Sequence, residues 1–466
     1  MRPGEPRSDD LLLASYVDAE RDRIVANLLD WLRIPSISAQ PAHAADVRRS
    51  AELTVELMRE CGLEHVTLLE TDGGAPCVYG DHLHAGPEAP SALVYGHHDV
   101  QPVDPLDEWT SPPFEPVIVD GECRARGAID DKGQVLYELE AVRGLLRDGR
   151  LPVNVKFVVE GEEEVGSPHF ETLLRRERDR LASDVVVVSD TSMWALDVPS
   201  TCVGMRGLVA FDVEIRSAKA DLHSGVYGGS VPNSAHHVAR LVSALHDADG
   251  RVTLPGFYDD VRPLTDAEQA SVAQLPFRDA DWMAEAGVRR LEGETGRSTL
   301  ERVWSRPTCD VVGIGVGYTG DGIKTIVPAR GGFKATFRLV PDQQPEKVAA
   351  SFRTWLAAML PDGVDARVTP NGAVAPARTP IEHPAVGALT RAIARVWRTP
   401  PLFTREGGSG PEEALGRVLD APVLFLGVGL PGDRIHAPNE RMVMSQFWKG
   451  LLAAGELWRE LGAMAH

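Results

Sequence analysis

The sequence predicts an α/β domain interrupted by a second, smaller α+β domain. Three observations carry this. Runs of Val, Ile and Leu without polar alternation recur between helical stretches over the first two hundred residues, as in strands covered on both faces. After about Cys202 the strands alternate apolar and polar instead. Past about Pro376 the first pattern resumes. The division is therefore residues 1–203 and 377–466 for the discontinuous α/β domain, and 204–376 for the insert.

The elements follow in order. Apolar residues recur at helical spacing from Asp9 to about Ile34, with Ser8 or Asp9 as cap and Pro35 as stop. A second helix runs from about Ala44 to Cys61 and ends at Gly62. "HVTLLET" and "SALVYG" read as strands, Gln134–Arg147 as a helix, and "VNVKFVVEG" as a strand. Pro168–Arg178 reads as a helix and "DVVVVSD" as a strand. In the insert, "LVAFDVEIRS" alternates like a half-exposed strand, and Pro232–His246 is helical. "DVVGIGVGY" and "FKATFRLV" follow as strands, then a helix from about Pro345 to Met359. That order suggests a mainly antiparallel sheet with helices on it. A helix at Pro384–Trp397, the strand "APVLFLG" and a helix from Asn439 to about Leu461 complete the chain.

Bulk properties narrow the function. The 466 residues are 43% hydrophobic, enough for two or three domains with real cores. A formal charge of -20 argues against a nucleic-acid partner, which lysine and arginine would have to hold. It suits small polar substrates and cation binding. Five scattered cysteines, odd in number and never spaced C-x-x-C, exclude a disulfide framework or thiolate zinc site and indicate a reducing cytoplasm. The N-terminus has only a three-leucine run, and no stretch approaches the roughly 20 apolar residues that span a bilayer. No membrane partner is expected.

Five apolar strands end in metal-ligating or titrating residues. "SALVYGHHDVQPV" ends in His97, His98 and Asp99; "ARGAIDDKGQ" carries Asp130 and Asp131; "FVVEGEEEVGS" carries Glu162, Glu163 and Glu164. "DVVVVSDTS" ends in Asp190, and "GDRIHAPNE" places His436 before the last helix. Ligands of open α/β sheets bind beyond the carboxyl ends of the strands, where these side chains would converge. Each has a plain reading: Asp130–Asp131 as a helix cap, the glutamates as a solvated turn, Asp190 as a strand end. Their coincidence points to an oxygen/nitrogen site for zinc, manganese or cobalt. Alternation puts His97 and Asp99 on one face and His98 on the other, so His97 is the expected ligand and Asp99 its support. The number of groups suggests two ions about 3.5–4 Å apart sharing one carboxylate, with a bridging water that deprotonates near neutral pH. His82 and His84, in "GDHLHAG", are read as a solvent-exposed hairpin tip.

With these residues in view, the sequence resembles the di-zinc metallopeptidases that include carnosinase-type dipeptidases, aminoacylase and succinyl-diaminopimelate desuccinylase. The resemblance runs along nearly the whole chain through "YGHHDVQPV", "RGAIDDKGQ", "EGEEEVGS", "VVSDTSMW", "DLHSGVYGGSVPN", "FRLVPDQ", "TREGGSGP" and "RIHAPNE". It implies His97, Asp130, Glu164, Asp190 and His436 as metal ligands, with Asp130 bridging and the Asp130–Asp131 peptide cis. It makes Glu163 the general base and Asp99 the residue steadying His97. His223 becomes the oxyanion stabiliser reaching across a homodimer interface, and Arg338 the clamp on the substrate's C-terminal carboxylate. Thr325 and Ser409 line that pocket, where Gly407 and Gly408 let the backbone come close. The α/β domain is then catalytic, of di-zinc exopeptidase type, and the insert a lid and dimerisation domain.

"DLHSGVYGG" and "REGGS" favour the dipeptidase branch. The expected function is hydrolysis of short peptides with a free C-terminus by a cytoplasmic homodimer holding two divalent ions, zinc first. The alternatives are an N-acyl-amino-acid amidohydrolase or desuccinylase using the same site, and a metal- or ligand-binding protein without catalysis. The intact Glu163 speaks against the last.

Overall fold

The structure is a computed structural model that describes residues 11–408 and 410–465. The caps expected at Ser8 or Asp9, and Ser409, lie outside the described residues. The chain divides into two compact units. One comprises the chain up to Val203, Thr379–Thr404 and the segment from Gly410 onward; the other comprises Gly204–Arg378 and a short stretch from Arg405.

In the first unit six strands form one sheet, in the order Glu64–Leu69, Cys77–His82, Asn154–Glu160, Ser91–His97, Val185–Val188, Val423–Phe425. The last four run parallel, and the first two join antiparallel at one edge. All four consecutive valines of Val185–Val188 are buried. Both faces of that strand are therefore covered, as its unbroken apolar run implies. Helix Ala44–Glu60 packs on the two edge strands, and helix Lys132–Arg147 on Ser91–His97. Lys132–Arg147 is buried along most of its length because helices Ala14–Leu32 and Met444–Gly462 cover it too. This is the mainly parallel α/β arrangement, flanked by helices, that the sequence predicts.

Three details differ. His82 ends the strand Cys77–His82, whose neighbours are Glu64–Leu69 and Asn154–Glu160. The segment "GDHLHAG" therefore crosses over a strand rather than turning a hairpin, and His82 is only half-exposed. Its neighbour His84 is exposed and pairs through Nε2 with Glu64 at 2.9 Å. The last helix begins at Met444 rather than Asn439, because Arg441–Val443 pairs as a strand with Glu122–Arg124. The helix expected at Pro168–Arg178 is two short ones, Phe170–Arg176 and Arg178–Leu181.

The second unit is built on an antiparallel sheet in the order Thr308–Val316, Arg330–Leu339, Gly207–Arg216, Asp365–Val374. One face is apolar: Val209, Phe211, Val213 and Ile215 meet Phe333, Phe337 and Leu339 under helices Ser234–Ala244 and Pro345–Met359. The strand Asp365–Val374 has no apolar alternation to announce it. It lies at an edge, almost wholly exposed, with its register broken between Pro370 and Ala373. No helix among the described residues is long and apolar enough to cross a membrane.

Candidate metal centre

The parallel strands deliver their polar ends to one place. His97 is the last residue of Ser91–His97 and is fully buried. Its Nδ1 lies 3.0 Å from the Asp99 carbonyl oxygen, which can only accept, so Nδ1 carries the ring proton. In the neutral ring Nε2 then presents a lone pair to Asp130 Oδ1 at 3.0 Å and Asp190 Oδ2 at 3.5 Å. Three acceptors converge, a set that a cation satisfies. On the other side, His436 Nε2 lies 3.0 Å from Asp130 Oδ2 and 3.2 Å from Glu164 Oε2. Glu164 Oε1 is buried and has no hydrogen-bond partner among the described residues. In each group, His97–Asp130–Asp190 and Asp130–Glu164–His436, the ligand atoms all lie within 4.8 Å of one another. The donors are nitrogen and oxygen without thiolate, so the residues present fit divalent ions such as zinc or manganese.

The proton affinities report the same demand for positive charge. Burial pulls the His97 ring down, yet Asp130, Asp190 and Asp99 raise it well above an ordinary imidazole. Asp130 and Glu164 raise His436 to about 10. Burial would lift Asp130, but His436 and His97 hold it well below the usual carboxylate range. Burial, and then the Asp190, Glu164 and Asp130 carboxylates, push Glu163 up to about 10 against the pull of His97. Glu163 stands in the short 3-10 turn Glu163–Val165 beside the two groups without belonging to either.

Asp99 does more than face His97. Its Oδ1 lies 3.4 Å from His97 Nδ1. The same carboxylate accepts from Ser38 Oγ at 2.6 Å and from the Glu163 and Glu164 amides at 3.3 and 3.1 Å. One buried anion thus ties the His97 strand end to the glutamate turn. Gln101 Nε2 donates to Glu164 Oε2 at 2.7 Å and fixes that carboxylate from behind. Asp131 stands at the N-cap of the following helix without capping it; its Oδ2 accepts the His97 amide at 3.2 Å. The Asp130–Asp131 peptide is cis. His98 is packed: burial holds its pKa near 4, and Nε2 donates to the Pro76 carbonyl at 3.0 Å.

The second unit holds the remaining expected residues. His223 and Ile326 are partners in a two-stranded ladder, and the Ser224 amide donates to the Thr325 carbonyl at 3.0 Å, so His223 and Thr325 are neighbours. His223 is exposed, and its Nδ1 accepts the Gly225 amide at 3.0 Å. The proton of a neutral ring must then sit on Nε2, which becomes a donor. Arg338 lies on Arg330–Leu339, opposite Thr308 and Leu208, on the sheet face away from the aromatic core. Sequence reasoning missed Gln101, the second use of Asp99, and the Arg126–Glu440 pair taken up below. Their signals were proximity to the motifs and nothing more.

A parallel sheet with imidazoles and carboxylates gathered beyond its strand ends in two acceptor-rich groups fits a metal-dependent hydrolase. Comparison with known proteins narrows this. Residues 93–460 match the model of peptidase family M20/M25/M40, and the chain belongs to that family. It is 30% identical to the Beta-Ala-His dipeptidase of Rattus norvegicus, over 97% of this chain and 95% of that protein. To the Cys-Gly metallodipeptidase of Schizosaccharomyces pombe it is 29% identical, over 94% and 95% respectively. Among solved structures, an M20 family metallo-carboxypeptidase from Sulfolobus solfataricus superposes with a TM-score of 0.82 at 31% identity, covering 94% of this chain and 99% of that one. Human carnosine dipeptidase 1 gives a TM-score of 0.77 at 27% identity, covering 98% and 100%. Metal-dependent dipeptidases are thus among the curated relatives, in agreement with the branch expected from the motifs.

Proposed function

We propose that this chain is a cytoplasmic metal-dependent dipeptidase acting on short peptides with a free C-terminal carboxylate. The observation that carries the reading is the pair of ligand groups sharing Asp130, with Glu163 beside them. His97, Asp190 and one oxygen of Asp130 would hold one ion; the other oxygen of Asp130, Glu164 and His436 would hold the second. Divalent ions held there, zinc first, would supply Lewis acidity and lower the pKa of a bound water to about 7.

The chain's own residues do the rest. Glu163, ionised once bound cations offset the neighbouring carboxylates that raise it, would take a proton from the attacking water and return it to the departing amine nitrogen. Asp99 keeps His97 in the tautomer whose Nε2 faces the ligand group. The Nε2–H of His223 is suited to stabilising the developing oxyanion. Arg338 would offer a two-pronged guanidinium to the substrate carboxylate, with Thr325 and Ser409 as further candidate substrate-binding residues. We assign the inserted unit the role of lid and dimerisation domain, in a homodimer. The five free cysteines, all buried, are consistent with a reducing compartment.

The test has two arms. Glu163→Gln should leave metal content, measured by elemental analysis, at the wild-type level and lower kcat by about 10²–10⁴-fold. Comparable turnover in that variant would refute the base assignment. A panel of dipeptides against N-acetyl and N-succinyl amino acids should show cleavage of dipeptides; cleavage of acyl substrates alone would make the protein an amidohydrolase.

A further inference from the structure

We propose that Arg126 and Glu440 are positioning residues for the metal centre: their buried ion pair holds in register the Asp130 and His436 loops and the loop that follows the His97 strand. The inference rests on the reading of those three residues as ligands. Arg126 NH1 meets Glu440 Oε2 at 2.7 Å, with both side chains at most 1% exposed. The remaining capacity of the carboxylate is spent on one loop. Oε2 also accepts the Gly127 amide at 3.1 Å, and Oε1 accepts the Ile129 and Asp130 amides at 3.1 and 3.3 Å. Four donors match the roughly four lone-pair sites of a carboxylate.

Each loop is reached by this pair. The Gly127–Asp130 loop ends in the carboxylate common to both ligand groups, and its amides converge on Glu440. Gly127 allows this by adopting φ +86, where a Cβ would also come within 2.8 Å of Val100. Arg126 NH2 donates to the Pro102 carbonyl at 3.0 Å, tying down the chain that leaves His97 and Asp99. Glu440 itself lies four residues after His436. Between them Asn439 accepts the Thr110 amide at 2.7 Å and donates to the Glu108 carbonyl at 2.8 Å, so the segment has a second anchor.

A buried ion pair kept only for stability can often be replaced by apolar residues at little cost. Here three of the four groups on the carboxylate are main-chain amides of the Asp130 loop, which an apolar side chain would strand. The pair is therefore coupled to where the Asp130 carboxylate points.

The experiment measures zinc binding by equilibrium dialysis, and melting of the chelated protein, for the wild type, Glu440→Gln, Arg126→Gln/Glu440→Gln and Asp130→Asn. Glu440→Gln leaves a buried guanidinium unpaired, so it should melt lower than wild type and bind zinc 10–100-fold more weakly, the usual loss when a ligand's support is removed. The double variant carries no unpaired buried charge. It should recover melting temperature but not zinc affinity. Zinc affinity that returns together with melting temperature, or that never falls, would make the pair purely structural and overturn the proposal. Unchanged zinc binding in Asp130→Asn would instead overturn the ligand reading beneath it, and the two failures are distinguishable.

Discussion

Gly96 shows how little freedom the centre has at the scale of one residue. A Cβ there would lie 2.4 Å from Val135 Cγ2 and 2.7 Å from Asp131 Oδ2, the oxygen that accepts the His97 amide. Val135 belongs to the core, so it has no room to retreat. Gly96→Ala should therefore cost about 1–3 kcal/mol of stability, the usual penalty for overpacking, measured as a shift in urea midpoint at unchanged slope. Because the displaced group supports His97, metal content should fall as well. A variant with wild-type midpoint and metal content would contradict the packing described. Residue type and position made the candidate ligands legible: His97, Asp130, Glu164, Asp190 and His436 all follow apolar runs or glycine turns, and the structure gathers these five into two groups that could hold a metal ion. Glu440 was not legible. A glutamate after "HAPN" looks like any helix start, and only the fold shows four donors aimed at it.

Among elements, the helix Pro345–Met359 shows where the second unit draws its stability. Phe352 is fully buried, stacked on Phe211 at 4.7 Å and close to Trp355 at 6.0 Å. Phe352→Ala should cost about 3–5 kcal/mol, since the cavity left cannot collapse against a sheet held by its own ladder. The short helix Thr299–Trp304 depends on something weaker. Ser298 caps it in a reciprocal capping box with Glu301, so Ser298→Ala should cost only about 0.5–2 kcal/mol. Chemical denaturation orders the two variants, and a larger loss for Ser298 would contradict the placement of the core. Long amphipathic helices and fully apolar strands were readable because one face dominates their pattern. The exposed edge strand Asp365–Val374 was not, because solvent leaves its sequence unconstrained, and short helices of the insert such as Thr299–Trp304 hold too few turns to show a periodicity. The final helix starts late because Arg441–Val443 finds a strand partner more than three hundred residues earlier, which no local pattern records.

Across the whole molecule, buried acids couple stability to pH. Glu138 is fully buried, and burial raises it to about 8, opposed by the Ser189 hydroxyl that donates to it at 2.8 Å. In the unfolded chain it titrates near its ordinary 4.5. The fold then binds the proton more tightly than the unfolded chain, so this contribution is complete below about 4.5 and is lost as pH rises toward about 8. The slope is about 1.4 kcal/mol per pH unit inside that window. Glu138→Gln should flatten the stability profile between pH 5 and 8, roughly those bounds, with the largest gain at the alkaline end. An unchanged profile by thermal melting across that range would show that Glu138 is ionised in the fold.

The order of apolar runs, the residues that end them and the absence of paired cysteines pointed, without coordinates, to a parallel α/β domain with an insert and to a set of candidate nitrogen/oxygen metal ligands. They could do so because burial and coordination each demand particular residue types at particular spacings. Which strands are neighbours and which buried anion braces the loops were decided by tertiary structure alone. Those depend on contacts between segments more than three hundred residues apart, and the local sequence carries no record of the partner's distance.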